Sequence, residues 1–339
     1  MRGRDLALIS TLVLVIAAAA IDVLRNGDEE PTATETRAQP PPPASEPEPQ
    51  REAPDDYPRG LLRGSLVFAN RLHCRIRVFD LAGGRERILP PLTACTFWVS
   101  PKSLSLAYRS EGRAFFRDLA ASPWGDLGSF SNLAGPITWS PDGTRAALCV
   151  RGGGGFDFDV VEHELPPERL NRCPAAYAPS GQPAFVLGGQ VIVDGRPIVE
   201  TMGQILFVSG AADGSIAVIV ATQPFPPNRL ERWEDGRLVD AVEIPGRLGR
   251  WPPVFSPDNC AALFRDIDQG WFEVIALDCL EAERPDFLIF GDSRAVAWSP
   301  DGRWIAVAYS DRIGFHRVAD GEEVASWPAQ AAAIAWTND

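Results

Sequence analysis

Lysine is almost missing from this chain, since Lys102 is the only lysine among 32 lysine and arginine residues. Histidine is nearly as rare, with three residues, and no two cysteines have Cys-x-x-Cys spacing, so a zinc site is not expected. The Gly-x-Ser-x-Gly turn of serine hydrolases is absent. The glycine run at residues 152–155 lacks both a lysine and a strand–loop–helix context, which excludes a phosphate-binding loop. Common signatures of enzyme sites are therefore missing.

One motif, Trp-Ser-Pro-Asp-Gly, occurs at residues 139–143 and again at 298–302. Degenerate copies, such as Phe-Ser-Pro-Asp at 255–258, recur at a spacing of roughly 40 residues, which is typical of propeller blades. Proline presets φ, aspartate bonds the local backbone and glycine tolerates positive φ, so the motif predicts a tight turn after an apolar strand. The residues aligned at the end of that strand are Val99, Trp139, Tyr177, Val208, Phe255, Trp298 and Trp336.

Further strands follow each turn, first an apolar or alternating one, then a third strand and a more polar outer strand. Four antiparallel strands make a blade, so the chain is predicted to be all-β and to form a seven-bladed β-propeller. Six or eight blades remain alternatives because the fourth repeat is short and glycine-rich. The predicted second strands are residues 144–150, 183–187, 215–221, 260–264 and 303–309, and the predicted third strands are 158–163, 271–277 and 313–318.

The two ends of the repeat region complement each other. Predicted strands at 65–69, 75–81 and 85–89 lack an innermost partner, and the predicted strand at 331–336 lacks a blade. Pairing them leaves no open edge, so the C-terminal strand is predicted to complete the first blade and to close the ring.

The repeated Trp-Ser-Pro-Asp-Gly resembles the repeat of TolB-type β-propellers, which are similar to WD-repeat propellers. The resemblance covers roughly residues 65–339, although Val208 lacks the following proline and Lys102-Ser103 replaces Asp-Gly in the first copy. It implies a propeller fold and says little about function, because one propeller scaffold supports many activities.

The N-terminal residues 1–26 contain Arg2 and Arg4 before the apolar stretch 6–21. This stretch is short for a membrane span and long for the core of a signal peptide. We favour an uncleaved transmembrane anchor with a cytoplasmic N-terminus and an extracytoplasmic propeller. Cleavage near the alanine run at 17–20, giving a secreted protein, is the alternative.

Residues 27–58 contain nine prolines, nine acidic residues and two basic residues. Such a composition predicts a disordered, extended linker. The propeller domain is then expected to span residues 59–339.

Six cysteines agree with export and with three disulfides. The repeat register places Cys95 and Cys173 at the start of innermost strands, and Cys74 and Cys149 near the second strand of the preceding blade. We therefore expect Cys74–Cys95 and Cys149–Cys173 as equivalent links between blades, and Cys260–Cys279 within one blade. Six free buried thiols are the alternative.

A net charge of −13 argues against nucleic-acid binding, which depends on neutralising phosphates. The arginine bias suggests a GC-rich genome and a bacterial source.

Binding in propellers usually involves the loops around the central channel. Those loops are predicted at residues 109–113, 151–155, 223–228, 266–270 and 310–312, and they contain no nucleophile paired with a base. Asp266 and Asp268 only faintly resemble a calcium loop, and no metal or cofactor is expected. Phe225, held between prolines, is a candidate partner anchor. The candidate binding residues are Arg109, Glu111, Arg151, Phe225, Asp266, Asp268, Asp311 and Arg312.

The tryptophans divide into two groups. Trp139, Trp298 and Trp336 occupy the repeat position and are expected in the core between blades. Four tryptophans outside the repeat position lie near outer strands or loops and are expected at the surface: Trp124, Trp233, Trp251 and Trp327.

Two functions remain open. We favour an extracytoplasmic interaction module, tethered to the membrane, that binds a protein or a component of the cell envelope. The alternative is a small-molecule sensor or an enzyme that uses the channel rim, and the missing catalytic constellation weighs against an enzyme.

Overall fold

The computed structural model describes most of the repeat region, which belongs to a compact unit spanning Pro47–Asp339. The N-terminal segment 1–26 and the linker 27–58 lie outside the described residues. Among the described residues, no helix is long and apolar enough to cross a membrane. The described residues are 60–87, 92–110, 113–119, 125–130, 133–151, 154–160, 168–221, 228–245, 248, 252–265, 271–279, 288–289 and 293–338.

The described residues form 28 strands in seven four-stranded antiparallel sheets, the blades of a β-propeller. Blade 1 contains β1 (Ser65–Asn70), β2 (Ile76–Asp80), β3 (Arg85–Arg87) and, as its first strand, β28 (Ala331–Thr337). Blade 2 contains β4 (Thr96–Val99), β5 (Ser105–Ser110), β6 (Arg113–Asp118) and β7 (Gly125–Phe130). Blade 3 contains β8 (Leu133–Trp139), β9 (Arg145–Val150), β10 (Gly155–Asp159) and β11 (Glu168–Leu170). Blade 4 contains β12 (Ala176–Tyr177), β13 (Pro183–Leu187), β14 (Gln190–Val193) and β15 (Arg196–Glu200).

The remaining three blades follow the same order from the innermost to the outermost strand. Blade 5 contains β16 (Gln204–Gly210), β17 (Ile216–Ala221), β18 (Asn228–Glu234) and β19 (Arg237–Ile244). Blade 6 contains β20 (Val254–Phe255), β21 (Ala261–Arg265), β22 (Phe272–Ala276) and β23 (Leu288–Ile289). Blade 7 contains β24 (Ala295–Trp298), β25 (Trp304–Ala308), β26 (Ile313–Arg317) and β27 (Glu323–Trp327).

The C-terminal strand closes the ring, as the sequence predicts. Strand β28 pairs with β1 along its length, from Ser65↔Thr337 to Asn70↔Ala331. Its neighbours on either side are β24 of blade 7 and β4 of blade 2, so the first and last blades are in contact. The seven-blade prediction is confirmed, and the alternatives of six and eight blades are not needed.

The repeated motif forms the turn between the first and second strand of a blade. In blade 3, Asp142 Oδ1 accepts hydrogen bonds from Ser140 Oγ at 2.5 Å and from Thr144 N at 3.0 Å. Gly143 follows with a φ of +72°, in the left-handed region that glycine tolerates. The motif is therefore accounted for by turn geometry.

The propeller has two distinct faces. The turn face carries the turns between first and second strands, such as residues 140–144 and 299–303. The loop face carries the links between blades, such as residues 171–175 and 201–203, and the connections between second and third strands. The chain enters the propeller on the turn face, because Arg63 O accepts a hydrogen bond from Trp336 Nε1 at 2.8 Å near the end of β28.

Most of the core lies between neighbouring blades. Apolar clusters fill six of the blade-to-blade interfaces in the described part of the chain. In one of them, Phe116 of blade 2 packs with Ile137 and Leu148 of blade 3. Each fully buried side chain of this size stabilises the fold by about 1.5–3 kcal/mol.

The interface between blades 3 and 4 contains a buried polar contact. Asp157 of β10 is 1% exposed and accepts a hydrogen bond from the Tyr177 hydroxyl at 2.5 Å. Arg145 NH2 of β9 donates to the other carboxylate oxygen at 2.6 Å. Burial raises the pKa of Tyr177, and the hydrogen bond to Asp157 raises that pKa further. Tyr177 therefore remains a neutral donor to a carboxylate that is also paired with a guanidinium.

All three predicted disulfides are confirmed. Cys74–Cys95 links blade 1 to the start of β4, and Cys149–Cys173 links β9 to the residues before β12. Both lie on the loop face in equivalent places. Cys260–Cys279 lies on the turn face and joins the start of β21 to the end of β22.

Two predictions about individual residues are wrong. Trp233 and Trp327 were expected at the surface but are 9% and 1% exposed. The ring of Trp327 lies 4.2 Å from that of Phe79, because the fourth strand of blade 7 packs on the third strand of blade 1. Outer strands thus also bury aromatic side chains against the next blade. Trp124 and Trp251 lie outside the described residues.

The third strand of blade 3 also differs from the prediction. It spans Gly155–Asp159 instead of beginning at residue 158. A Cβ on Gly155 would lie 2.8 Å from Leu148 O and 2.8 Å from Pro174 Cδ, so only glycine allows the link to blade 4 to approach. Gly155 therefore begins a strand instead of belonging to a rim loop, while residues 152–153 lie outside the described residues.

Candidate functional site

Half of the predicted binding residues can be located, and all of these lie on the loop face. Arg109 lies at the end of β5, Arg151 directly follows β9, and Asp311 and Arg312 connect β25 to β26. Arg109, Arg151 and Asp311 are exposed and belong to three different blades. The predicted residues outside the described part of the chain are Glu111, Phe225, Asp266 and Asp268.

Arg312 is engaged within its own blade. Its Nε and NH2 groups donate to the two carboxylate oxygens of Glu323, both at 3.0 Å. The guanidinium carbon also lies 4.5 Å from the centre of the Tyr309 ring, a cation–π distance. The hydrogen bonds to Glu323 raise the pKa of Arg312 above its usual value. Since Glu323 is on the outermost strand β27, Arg312 points outward and away from the central channel.

A buried polar pair, Tyr309 and His316, lies next to Arg312. The Tyr309 hydroxyl and His316 Nε2 are 2.9 Å apart, and His316 Nδ1 lies 3.1 Å from the carbonyl oxygen of Gly321. Burial, with a contribution from the Glu323 carboxylate, raises the pKa of Tyr309 to about 12. Each polar group in this cluster has a partner, so we interpret the cluster as structural.

An exposed apolar patch that the sequence analysis missed lies on the loop face of blades 4 and 5. It consists of Leu187, Met202 and Leu206, which are 52%, 102% and 41% exposed. Ile205 N donates to Gly188 O at 3.1 Å, and Thr201 N donates to Gly189 O at 2.8 Å. These bonds connect the turn after Leu187 to the link that carries Met202, so the loop-face patch is built on fixed backbone.

A β-bulge exposes Leu206. Ile205 pairs with Val220 and Phe207 pairs with Ile219, which leaves Leu206 as the extra residue between them. Ile205 packs toward blade 4 and Phe207 toward blade 6. Bulges commonly redirect a side chain, and this one exposes a leucine on an innermost strand. The sequence alone does not signal this exposure, because the apolar run at 205–208 resembles the run at 216–220 in β17, which is buried throughout.

Two exposed arginines lie on the same face, where blade 3 joins blade 4. Arg151 follows Cys149 by two residues and Arg172 precedes Cys173 by one, so the Cys149–Cys173 disulfide brings the two segments together. The Cα atoms of these cysteines are 4.9 Å apart. We call Arg151 and Arg172 the arginine pair. The sequence analysis named Arg151 alone, because the position of Arg172 depends on the disulfide.

The mouth of the central channel on the turn face forms a cavity of about 480 Å³. Apolar side chains such as Trp98, Trp139 and Phe255 contribute to its lining, together with the turn prolines and Lys102. The cavity thus lies on the face opposite to the predicted rim loops. Among the described residues, no group of three histidine, cysteine or acidic side chains is placed to hold a metal ion.

Comparison with protein-family profiles gives no match, and comparison with curated protein sequences gives none either. Solved structures do match. A chain of the mitotic checkpoint complex has a TM-score of 0.51 at 17% identity, over 86% of this chain and 100% of that one. The β-propeller domain of Cps50 (Swd1) from Myceliophteria thermophila has a TM-score of 0.50 at 16% identity, over 72% and 90% of the two chains.

Two further structures also match. The dihydro-heme d1 dehydrogenase NirN has a TM-score of 0.50 at 12% identity, over 87% of this chain and 82% of that one. TolB from Acinetobacter baumannii has a TM-score of 0.43 at 14% identity, over 84% and 68%. At such low identities, the match to the Cps50 (Swd1) domain supports the β-propeller fold and no shared activity.

Proposed function

We propose that this chain is an extracytoplasmic interaction module, in which residues 1–26 anchor the protein in a membrane and residues 27–58 act as a spacer. The propeller binds another protein or an envelope component through its loop face. The apolar stretch and the proline-rich acidic segment support the tether. One of the similar structures comes from a protein complex, the mitotic checkpoint complex, which agrees with a protein partner.

The loop-face patch is the observation that carries this proposal. Large apolar side chains that are grouped and exposed on a soluble surface commonly mark interaction sites. Met202 is fully exposed, and Met1 is the only other methionine of the chain. Methionine adapts its shape to a partner at low cost, which suits a contact surface. Because the chain enters on the turn face, the loop face lies opposite to the point where a tether joins the propeller.

Photo-cross-linking in cells tests the proposal. A photoreactive amino acid replaces Gln204, which is exposed between Met202 and Leu206, or replaces Ala319, which is exposed on the turn face. We expect a specific cross-linked partner from position 204 in the membrane fraction and none from position 319. Protease added outside the cytoplasmic membrane should remove the propeller. The proposal is wrong if position 204 gives no specific product or if the propeller is protected.

Matched variants show whether the patch itself is responsible. Met202→Ser with Leu206→Ser should abolish the cross-link at position 204. Leu238→Ser with Val239→Ser should not, although these residues are also exposed apolar side chains, at 47% and 48%, on the outer strand β19. Equal loss in both variants would show that the effect is not local to the patch.

A further inference from the structure

We propose that the arginine pair and the loop-face patch form one surface that binds an acidic protein segment, with carboxylates placed beside an apolar side chain. This inference rests on the proposed function and names the chemistry of the partner. Two guanidinium groups supply bidentate contacts for carboxylates, and the leucines and the methionine supply apolar contact area.

The first support is the free charge of the arginine pair. Arg151 and Arg172 are both exposed, and neither has an ion-pair partner among the residues that the structure describes. Other arginines of the propeller do have such partners: Arg145 pairs with Asp157, and Arg312 pairs with Glu323. The arginine pair therefore keeps its donors available for a ligand.

The second support is that the backbone under the arginine pair is held on two sides. The Cys149–Cys173 disulfide joins the two segments, and Val150 N, next to Arg151, donates to Gly154 O at 3.0 Å. Gly155 leaves room for the Arg172 carbonyl, which would lie 3.1 Å from a Cβ there. A held backbone lowers the entropy lost when a partner binds.

The third support is that the arginine pair and the loop-face patch lie on the same face of the propeller, on blades 3 to 5 and the links between them. In blade 4, β12 and β13 are antiparallel and Ala176 pairs with Ala184, so the start of β12 and the end of β13 both lie on the loop face. Arg172 lies four residues before Ala176, and Leu187 lies three residues after Ala184, which places both on this face. Met202 and Leu206 follow on the adjoining link and bulge.

The charge of the chain also favours an acidic partner for this surface. The chain carries a net charge of −13, and neither Arg151 nor Arg172 has a carboxylate partner among the residues that the structure describes, so the arginine pair departs from the average charge of the chain. An acidic segment is therefore attracted to the arginine pair.

Peptide selection tests the inference on the full-length chain. The chain is immobilised through its C-terminus, which leaves the propeller on the turn face, and random 12-residue peptides are selected against it. We expect enrichment of peptides in which Asp or Glu flank an apolar residue. Binding of an enriched peptide should weaken about tenfold or more in Arg151→Glu with Arg172→Glu, and should weaken as salt rises.

The matched control reverses the charge of two exposed arginines on the turn face, in Arg237→Glu with Arg303→Glu. This variant should leave peptide binding unchanged. Enriched peptides without acidic bias, or equal binding by both variants, would overturn the inference. So would binding of phosphatidylglycerol vesicles that depends on Arg151 and Arg172 when acidic peptides do not bind, since a membrane would then be the partner.

The outcomes separate this inference from the proposed function. Without a partner, position 204 gives no cross-link at all, and the proposed function fails. If the cross-link forms but is insensitive to Arg151→Glu with Arg172→Glu, the interaction module stands and the acidic partner is wrong.

Discussion

At the scale of the residue, Asn259 shows how one side chain can take over two structural tasks. It stands at the turn position where blades 3 and 7 have Gly143 and Gly302, and its φ is +57°. Its Nδ2 group donates to Ser209 O at 3.2 Å and to Ser215 O at 3.1 Å, both in blade 5. Asparagine therefore accepts the left-handed backbone and also bonds the neighbouring blade.

Substitutions at this position should separate the two tasks. We expect Asn259→Gly to keep the backbone and lose the bonds, lowering the free energy of unfolding by about 1–2 kcal/mol. Asn259→Ala should cost about 1 kcal/mol more, because alanine is strained at positive φ. Denaturant unfolding under oxidising conditions measures both.

Gly302→Asn is the matched control for Asn259. It should change stability little, since asparagine tolerates positive φ and a Cβ at Gly302 would lie 3.8 Å from its nearest neighbour, Pro257 Cδ. If Asn259→Gly were neutral as well, the bonds to blade 5 would not contribute to stability.

At the scale of the element, β28 determines whether the ring is closed. Trp336 of this strand donates from Nε1 to Arg63 O at 2.8 Å and packs edge-on against Phe315 of blade 7 at 5.7 Å. It thus contacts both the first residues of the propeller and its last blade. Trp139 occupies the equivalent repeat position in blade 3, but its buried Nε1 has no hydrogen-bond partner in the described part of the chain.

Phenylalanine at these two positions should have different effects. Trp336→Phe removes a hydrogen bond that is made, so we expect a loss of about 1 kcal/mol in the free energy of unfolding. Trp139→Phe removes a buried donor that is unpaired, so stability should be unchanged or higher. Thermal unfolding of both variants gives the comparison. A larger loss for Trp139→Phe than for Trp336→Phe would contradict the assigned role of β28.

The elements also show which features the sequence can predict. Turn chemistry and strand alternation are local, so the ends of β4, β8, β12, β20 and β24 agree with the repeat positions. The repeat position predicted at Val208 is wrong, because β16 ends at Gly210 and the turn that follows has backbone bonds, Ala211 N to Ser215 O and Gly214 N to Ala211 O, that correspond to those of the motif turn of blade 3. The loop-face patch and the arginine pair depend on contacts between blades, which a single repeat does not encode. The burial of Trp327 has the same origin.

At the scale of the whole molecule, the seam between blades 3 and 4 combines stability with the proposed site. It contains the Asp157 contacts to Tyr177 and Arg145, and on the loop face it is linked by Cys149–Cys173. The arginine pair lies directly on this link. The disulfide is therefore expected to stabilise the ring and also to position the binding surface.

Two disulfides of similar loop length allow these roles to be separated. Cys149–Cys173 spans 24 residues and Cys260–Cys279 spans 19, so removing either should cost about 3 kcal/mol of chain-entropy stabilisation. Only Cys149→Ser with Cys173→Ser should speed amide hydrogen exchange at Val150, whose N–H donates to Gly154 O, and weaken binding of the selected acidic peptide several-fold. Cys260→Ser with Cys279→Ser lies on the turn face and should leave both unchanged. If the two double variants lose peptide binding equally, the disulfide acts through global stability and does not position the arginine pair.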